Sequence, residues 1–311
     1  MPEPSILIVH ADRKTQRIVQ RILGVTGYRV DICDELEQGT WFLSRHAPTL
    51  VVVDGAAIDS PHASAFFAAA AARGAEACMT LLGGPPTARI PQIVKTGAVT
   101  NLLVHPMPVL AEELTSTAQT LIHGDRFGAE KYLLWGTELQ TITVARASER
   151  ATLVERLAEA IRARGQSARV ASMAMLVADE LISNAVHNAP VDASGAHYRK
   201  DLPRDGELEL DERHRVQLRW GCDARYVAIE VSDRFGSLDR DTILRSLATS
   251  DVRPTGGGAG MGIALAYRSC DHLVFDLAPG VRTEIIALID VRYPPSERVA
   301  ASSYNVFVER S

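Results

Sequence analysis

The sequence predicts two folds in one chain: an α/β domain built on a parallel sheet, then an α+β domain built on an antiparallel one. Residues 5–124 alternate short, nearly uninterrupted apolar strands with helical stretches, the pattern of a parallel sheet covered on both faces. Residues 137–290 place two helices before strands that alternate apolar and polar residues, as a sheet with one buried face does. A chain of 311 residues with 46% hydrophobic residues is long enough for two ordinary cores.

In the first half the strands read 6–10, 28–33, 50–54, 77–82 and 99–104, with helices at about 12–25, 35–46, 62–73, 87–96 and 109–123. The alanine run at 68–72 has high helix propensity and is read as part of a surface helix. Ligand chemistry in such a sheet belongs at the carboxyl ends of its strands. The residues there are His10 with Ala11, Asp54, Gly83 with Gly84, and His105 before Pro106.

A strand at 139–144 opens the second half, and a helix follows over 148–164 with Ser148 as N-cap and Gly165 at its end. The next helix covers about 167–188. Its Glu180, Asn184 and Asn188 are spaced i, i+4, i+8 and line one face. Ala171, Ala174, Met175, Ala178, Leu181 and Ile182 make another face small and apolar enough to lie on a sheet. Pro190 closes the helix. The excursion at 191–214 is long and highly charged. It reads as solvated, with a partner-specific insertion near the site as the alternative. Strands at 215–220, 226–231, 273–277 and 283–290 complete a two-layer α+β sandwich.

A carboxylate one helical turn before a carboxamide, as in Glu180 and Asn184, can hold a water beside a metal-bound phosphate. Asp233 ends an apolar strand pattern, where it can accept a hydrogen bond from an exocyclic amine. The run Gly256-Gly257-Gly258-Ala259-Gly260-Met261-Gly262 lets backbone N–H groups approach phosphate oxygens before a helix begins. Each piece alone is common; their order and spacing together point to a nucleotide site.

That order resembles the GHKL ATPase superfamily, the Bergerat fold, over roughly residues 137–293. The resemblance places Glu180 as general base or water-positioning residue, Asn184 as magnesium ligand and Asp233 as reader of adenine. It places Gly258, Gly260, Met261 and Gly262 in the lid and phosphate loop, with Thr283 on the adenine side. His187 and Asn188 fall where relatives present phosphate- or ring-contacting groups. After Asp233 this chain has Phe235-Gly236-Ser237 in place of the usual glycine spacing. Gly236 is assigned to the nucleotide site, and Phe235 would either pack under the purine or crowd it. ATP and Mg2+ are the implied cofactors.

The first half resembles the receiver domain of two-component signalling, a flavodoxin-like (βα)5 fold. Asp54 matches the phospho-accepting aspartate. His10 and Ala11 replace the acidic pair, with Asp12 one step too late. Gly83 replaces the hydroxyl residue and His105 the lysine. Phosphoryl transfer to a carboxylate needs a cation and a donor for the developing charge. The expectation is therefore a pseudo-receiver in which Asp54 is structural. The expected organisation is receiver-like 1–124, linker 125–136, GHKL domain 137–295 and a tail at 296–311.

Net charge −5 with mixed signs gives no basic footprint for nucleic acid. Cys33, Cys78, Cys222 and Cys270 never form a Cys-x-x-Cys motif and read as thiols in a reducing compartment. No apolar run approaches the ~20 residues of a membrane span, and no basic leader opens the sequence, so a cytoplasmic location is expected. The segment between Gln166 and Glu180 leaves no room for a phospho-accepting histidine hairpin. The second half therefore looks most like the anti-sigma-factor serine kinase branch, whose partner would be another signalling protein. A homodimer is left open. The competing reading is a non-enzymatic, nucleotide-gated interaction module. A gyrase-type DNA-dependent ATPase is disfavoured, because neither a transducer domain nor a basic patch accompanies the motifs.

Overall fold

The computed structural model describes residues 3–82, 93, 98–105, 111–203, 208–248, 261–292 and 302–309. They form two compact units, Met1–Arg126 with Val299–Asn305, and Phe127–Arg298 with Val306–Ser311.

In the first unit, strands β1 (Ser5–Val9), β2 (Arg29–Cys33), β3 (Leu50–Asp54), β4 (Glu76–Leu82) and β5 (Asn101–His105) lie parallel, in the order β2-β1-β3-β4-β5. That is the flavodoxin-like order. Helix α1 (Arg13–Gly24) and α4 (Ala111–His123) pack Val19, Leu23, Leu114 and Ala118 onto Ile6, Ile8, Leu50, Val52 and Leu103. Successive strand residues point to opposite faces, so Leu7, Val9, Val51 and Val53 are buried on the other side. Helices α2 (Leu36–Arg45) and α3 (Ala63–Ala72) complete this half. The alanine run thus ends a helix that buries Phe66, Phe67 and Ala70. The helix expected at 87–96 lies outside the described residues apart from Ile93.

The second unit holds an antiparallel sheet in the order β9-β10-β8-β7-β6. Its strands are β6 (Gln140–Val144), β7 (Val216–Cys222), β8 (Tyr226–Asp233), β9 (His272–Ala278) and β10 (Arg282–Asp290). Helix α5 (Arg150–Ala163) packs on α6 (Ala168–Ser183), which lies against the sheet with Ala171, Ala174, Ala178, Leu181 and Ile182 buried. Two shorter helices follow, α7 (Arg240–Ala248) and α8 (Met261–Arg268).

Three expectations need correction. Ser148 does not cap α5, because residues 147–149 form a 3-10 turn and the helix starts after Glu149, whose side chain makes no capping bond. The 296–311 stretch is more than a tail. It holds β11 (Ser303–Val308), where Tyr304 pairs with Leu102 and Asn305 with Asn101 in the first unit. The central strands of the second sheet are buried on both faces, with Glu230 and Glu284 fully buried. Residues 127–132, read as linker, account for this. Gly128 N–H donates to Glu284 Oε1 (2.5 Å) and Ala129 N–H to Glu230 Oε2 (2.9 Å). Arg219 pairs with Glu230 (3.0 Å) and Arg282 with Glu284. The polar positions of the alternating pattern therefore form a paired, buried network under this segment, as buried charges require. Burial, then the charge of Glu230, raises the Glu284 pKa to about 7.

Candidate functional site

Helix α6 begins at Ser167, whose hydroxyl accepts the Val170 N–H (3.2 Å), and Arg150 on α5 ties down Asp179 at 2.6 Å. Its last residues are not α-helical. Asn184–Asn188 form a single π turn in which Ala189 N–H donates to Asn184 C=O (3.0 Å). Such widened turns recur at functional sites. Here the turn lets Asn188 Nδ2 donate to Asn184 Oδ1 at 2.7 Å. Asn184 Nδ2 is buried and has no hydrogen-bond partner among the described residues.

Across from it, Asp233 ends β8 with Thr283 of β10 as its cross-strand neighbour. Asp233 Oδ1 accepts N–H groups from Phe235 (2.8 Å) and Gly236 (3.3 Å). Burial outweighs these bonds and raises the Asp233 pKa from 3.8 to about 6. Gly236 is required for this turn. Its φ is +57°, and a Cβ there would lie 2.2 Å from the Ala278 carbonyl oxygen.

Asn184, Asn188, Asp233 and Thr283 line one cavity of about 140 Å³, floored by Val231, Ile263 and Ile285. The excursion after Pro190 adds His197 and Lys200 to its wall; the sequence shows Lys200 only as part of the charged run Arg199-Lys200-Asp201 and assigns neither residue to the site. Lys200 makes no hydrogen bond or ion pair with the described residues, so its charge is free to meet a ligand. The excursion folds back through an Asp192-centred turn and a Val191–His197 bridge. Tyr198 is anchored through His214 (2.6 Å) to Asp211 (2.6 Å).

Glu180, His187, Gly236, Met261 and Gly262 do not line the cavity. Glu180 lies beside Gly262 at the start of α8, where a Cβ on Gly262 would sit 2.6 Å from Glu180 Oε2 and 3.0 Å from Asn184 Nδ2. Gly262 is thus the residue that lets α8 approach the Glu180–Asn184 pair. His187 is buried within the π turn. Phe235 neither supports nor crowds the cavity: its ring turns away, 5.2 Å from the His214 ring and beneath Arg213 at 4.9 Å. Gly258 and Gly260 lie outside the described residues.

In the first unit, Asp54 and His10 share a second cavity of about 260 Å³ with Asp34, Ser60 and His62. Asp54 Oδ1 accepts the Ala56 N–H (3.1 Å) and caps the following 3-10 turn, while Oδ2 lies 3.7 Å from His10 Nε2. His10 Nδ1 accepts the Asp12 N–H (3.0 Å), which leaves the neutral-ring proton on Nε2, facing Asp54. Asp12 itself is the N-cap of α1, and its bonds to Thr15 lower its pKa. Gly83 lies outside the described residues, as does the His105 side chain. Among the described residues no group of three or more His, Cys, Asp or Glu could hold a metal ion. No helix among them is long and apolar enough to cross a membrane.

The first unit is thus a flavodoxin-like fold. About 39% of the chain is similar to solved response-regulator receiver domains. A response regulator from Thermotoga maritima is 18% identical with a TM-score of 0.33, covering 39% of this chain and 98% of its own. A CheY-like receiver domain protein from Methanospirillum hungatei is 20% identical with a TM-score of 0.32, covering 40% and 99%. The receiver domain of an HD domain-containing protein from Pseudomonas fluorescens is 18% identical with a TM-score of 0.33, covering 39% and 96%. No protein-family model and no curated protein matches the chain.

Proposed function

We propose that the second unit is an ATP-binding module of the Bergerat type that switches a partner signalling protein by phosphoryl transfer to a serine or threonine, with the first unit as a docking pseudo-receiver. The observation that carries this reading is the convergence of Asn184, Asn188, Asp233 and Thr283 on one cavity from elements far apart in sequence. The residues present fit the implied cofactors. Asn184 offers a buried, unpartnered Nδ2 that would donate to a phosphate oxygen and an Oδ1, already accepting from Asn188, whose remaining lone pair would face a cation. Gly262 leaves space beside Glu180 that a Cβ would fill. Asp233 would accept the adenine amine, Asn184 would hold Mg2+, and Lys200 would meet negative charge. Mg2+ supplies neutralisation of phosphate charge when bound. Glu180 would orient or deprotonate the acceptor hydroxyl.

A second reading, a nucleotide-gated module without catalysis, is favoured by one observation: Glu180 lies beside Gly262 and does not line the cavity. Glu180→Gln separates the two. General-base or positioning groups contribute about 10²–10⁴-fold in the transition state and little to ground-state binding. The kinase reading expects Glu180→Gln to retain ATP and lose transfer to partners recovered with the ATP-loaded protein. Equal inactivity of wild type and variant toward every recovered partner favours the binding module.

A further inference from the structure

The second unit carries another pocket, of about 530 Å³, that the nucleotide reading leaves unused. We propose that it is a separate ligand site for a compact polyanion with phosphate- or carboxylate-type oxygens. Arg215 before β7, Arg234 after β8 and Arg282 at the start of β10 converge on it from three elements. The Arg215 side chain makes no hydrogen bond or ion pair with the described residues. Arg234 donates to the Glu212 carbonyl oxygen (3.2 Å) and lies 3.6 Å from the Glu212 carboxylate, which also lines the pocket; with side chains 61% and 84% exposed, that ion pair contributes little. Arg282 is held by the buried Glu284, which fixes its place at the pocket wall. Gln217 and Ser232 add an amide and a hydroxyl to the same wall. Guanidinium forks match the paired oxygens of phosphates and carboxylates, and the volume falls in the range of about 300–1,000 Å³ usual for small-molecule sites. A merely solvated arginine face would not need to be concave or to gather neutral donors.

Asp233 lines both this pocket and the nucleotide cavity. An anion among the arginines makes the ionised Asp233 more costly and so weakens its hold on an adenine amine. The coupling is reciprocal, so nucleotide weakens the anion by the same factor. This consequence rests on the nucleotide reading, whereas anion binding itself does not.

The test is calorimetric titration of the full chain with inorganic pyrophosphate and, separately, with citrate, at low ionic strength and without nucleotide. Saturable binding of at least one probe is expected, weakened about tenfold by Arg215→Gln and lost in Arg215→Gln/Arg234→Gln. Both side chains are exposed, and circular dichroism verifies that the variants stay folded. Preference for pyrophosphate assigns a phosphate ligand and preference for citrate a carboxylate ligand. No saturable heat from either probe overturns the site. So does heat that survives the double substitution but disappears in Asn184→Ala, because the probe would then sit in the nucleotide cavity. If the probe binds the arginines while ATP binds nowhere, the nucleotide reading fails and this site stands.

Discussion

The Asp233 carboxyl is buried, and its pKa stands near 6 because its bonds from backbone amides do not replace its lost hydration. A rise from 3.8 to about 6 costs the folded protein about 3 kcal/mol once the group is ionised, at roughly 1.4 kcal/mol per pH unit. The native state holds this proton more tightly than the unfolded chain. Stability therefore falls as pH rises from about 4 to about 6, and the cost is fully present at neutral pH. Glu284, raised to about 7, adds a loss of the same sign. Asp233→Asn should thus raise the melting temperature of the ligand-free protein at pH 7.5 and have little effect at pH 4. A melting temperature that falls equally at both pH values would contradict this electrostatic assignment. The carboxylate's place at the end of β8 was legible in the sequence, because an acidic residue closing an apolar run is conspicuous. Its titration was not, because the Phe235 and Gly236 amides and the covering residues are set by the turn that Gly236 makes.

Among the elements, α6 was the most legible, since its apolar and polar faces both follow from helical spacing. The π turn at Asn184–Asn188 was not, because propensity says nothing about which carbonyl an N–H chooses. The polar alternation of β8, β9 and β10 misled for a related reason. It fits an exposed face, yet Glu230 and Glu284 bind backbone N–H groups 101 and 156 residues away. The approach of α8 to α6 yields a direct test. The atoms nearest a Cβ on Gly262 would be the side-chain ends of Glu180 and Asn184 rather than backbone, and alanine favours a helix over glycine by about 0.5–1 kcal/mol. Gly262→Ala should therefore leave thermal stability unchanged or slightly higher while weakening ATP binding or turnover severalfold. Unaltered ATP binding and turnover would show that the Glu180–Asn184 pair is not part of the site.

On the scale of the whole molecule, the five parallel strands of the first unit were legible from their apolar runs, and the strand at 303–308 was not. Its partners Val99 and Asn101 lie 205 and 204 residues away from Tyr304 and Asn305, and it follows a charged, proline-containing stretch that reads as a tail. On the proposed reading, the first unit would keep a receiver's aspartate without its support. Asp54 caps a turn and faces an imidazole N–H where an acidic pair would bind a cation. Incubation with acetyl phosphate and Mg2+ should leave the intact mass unchanged. A magnesium-dependent adduct absent from Asp54→Ala would overturn the pseudo-receiver assignment. The central claim concerns the second unit, and calorimetric titration of ATP with Mg2+ into the full chain tests it most directly. A charge-assisted hydrogen bond contributes about 1.5–3 kcal/mol, so the account expects saturable binding by wild type, weakened about ten- to a hundredfold in Asp233→Asn. Folded wild-type protein that gives no heat at millimolar ATP, or an Asp233→Asn variant that binds as tightly as wild type, would contradict it.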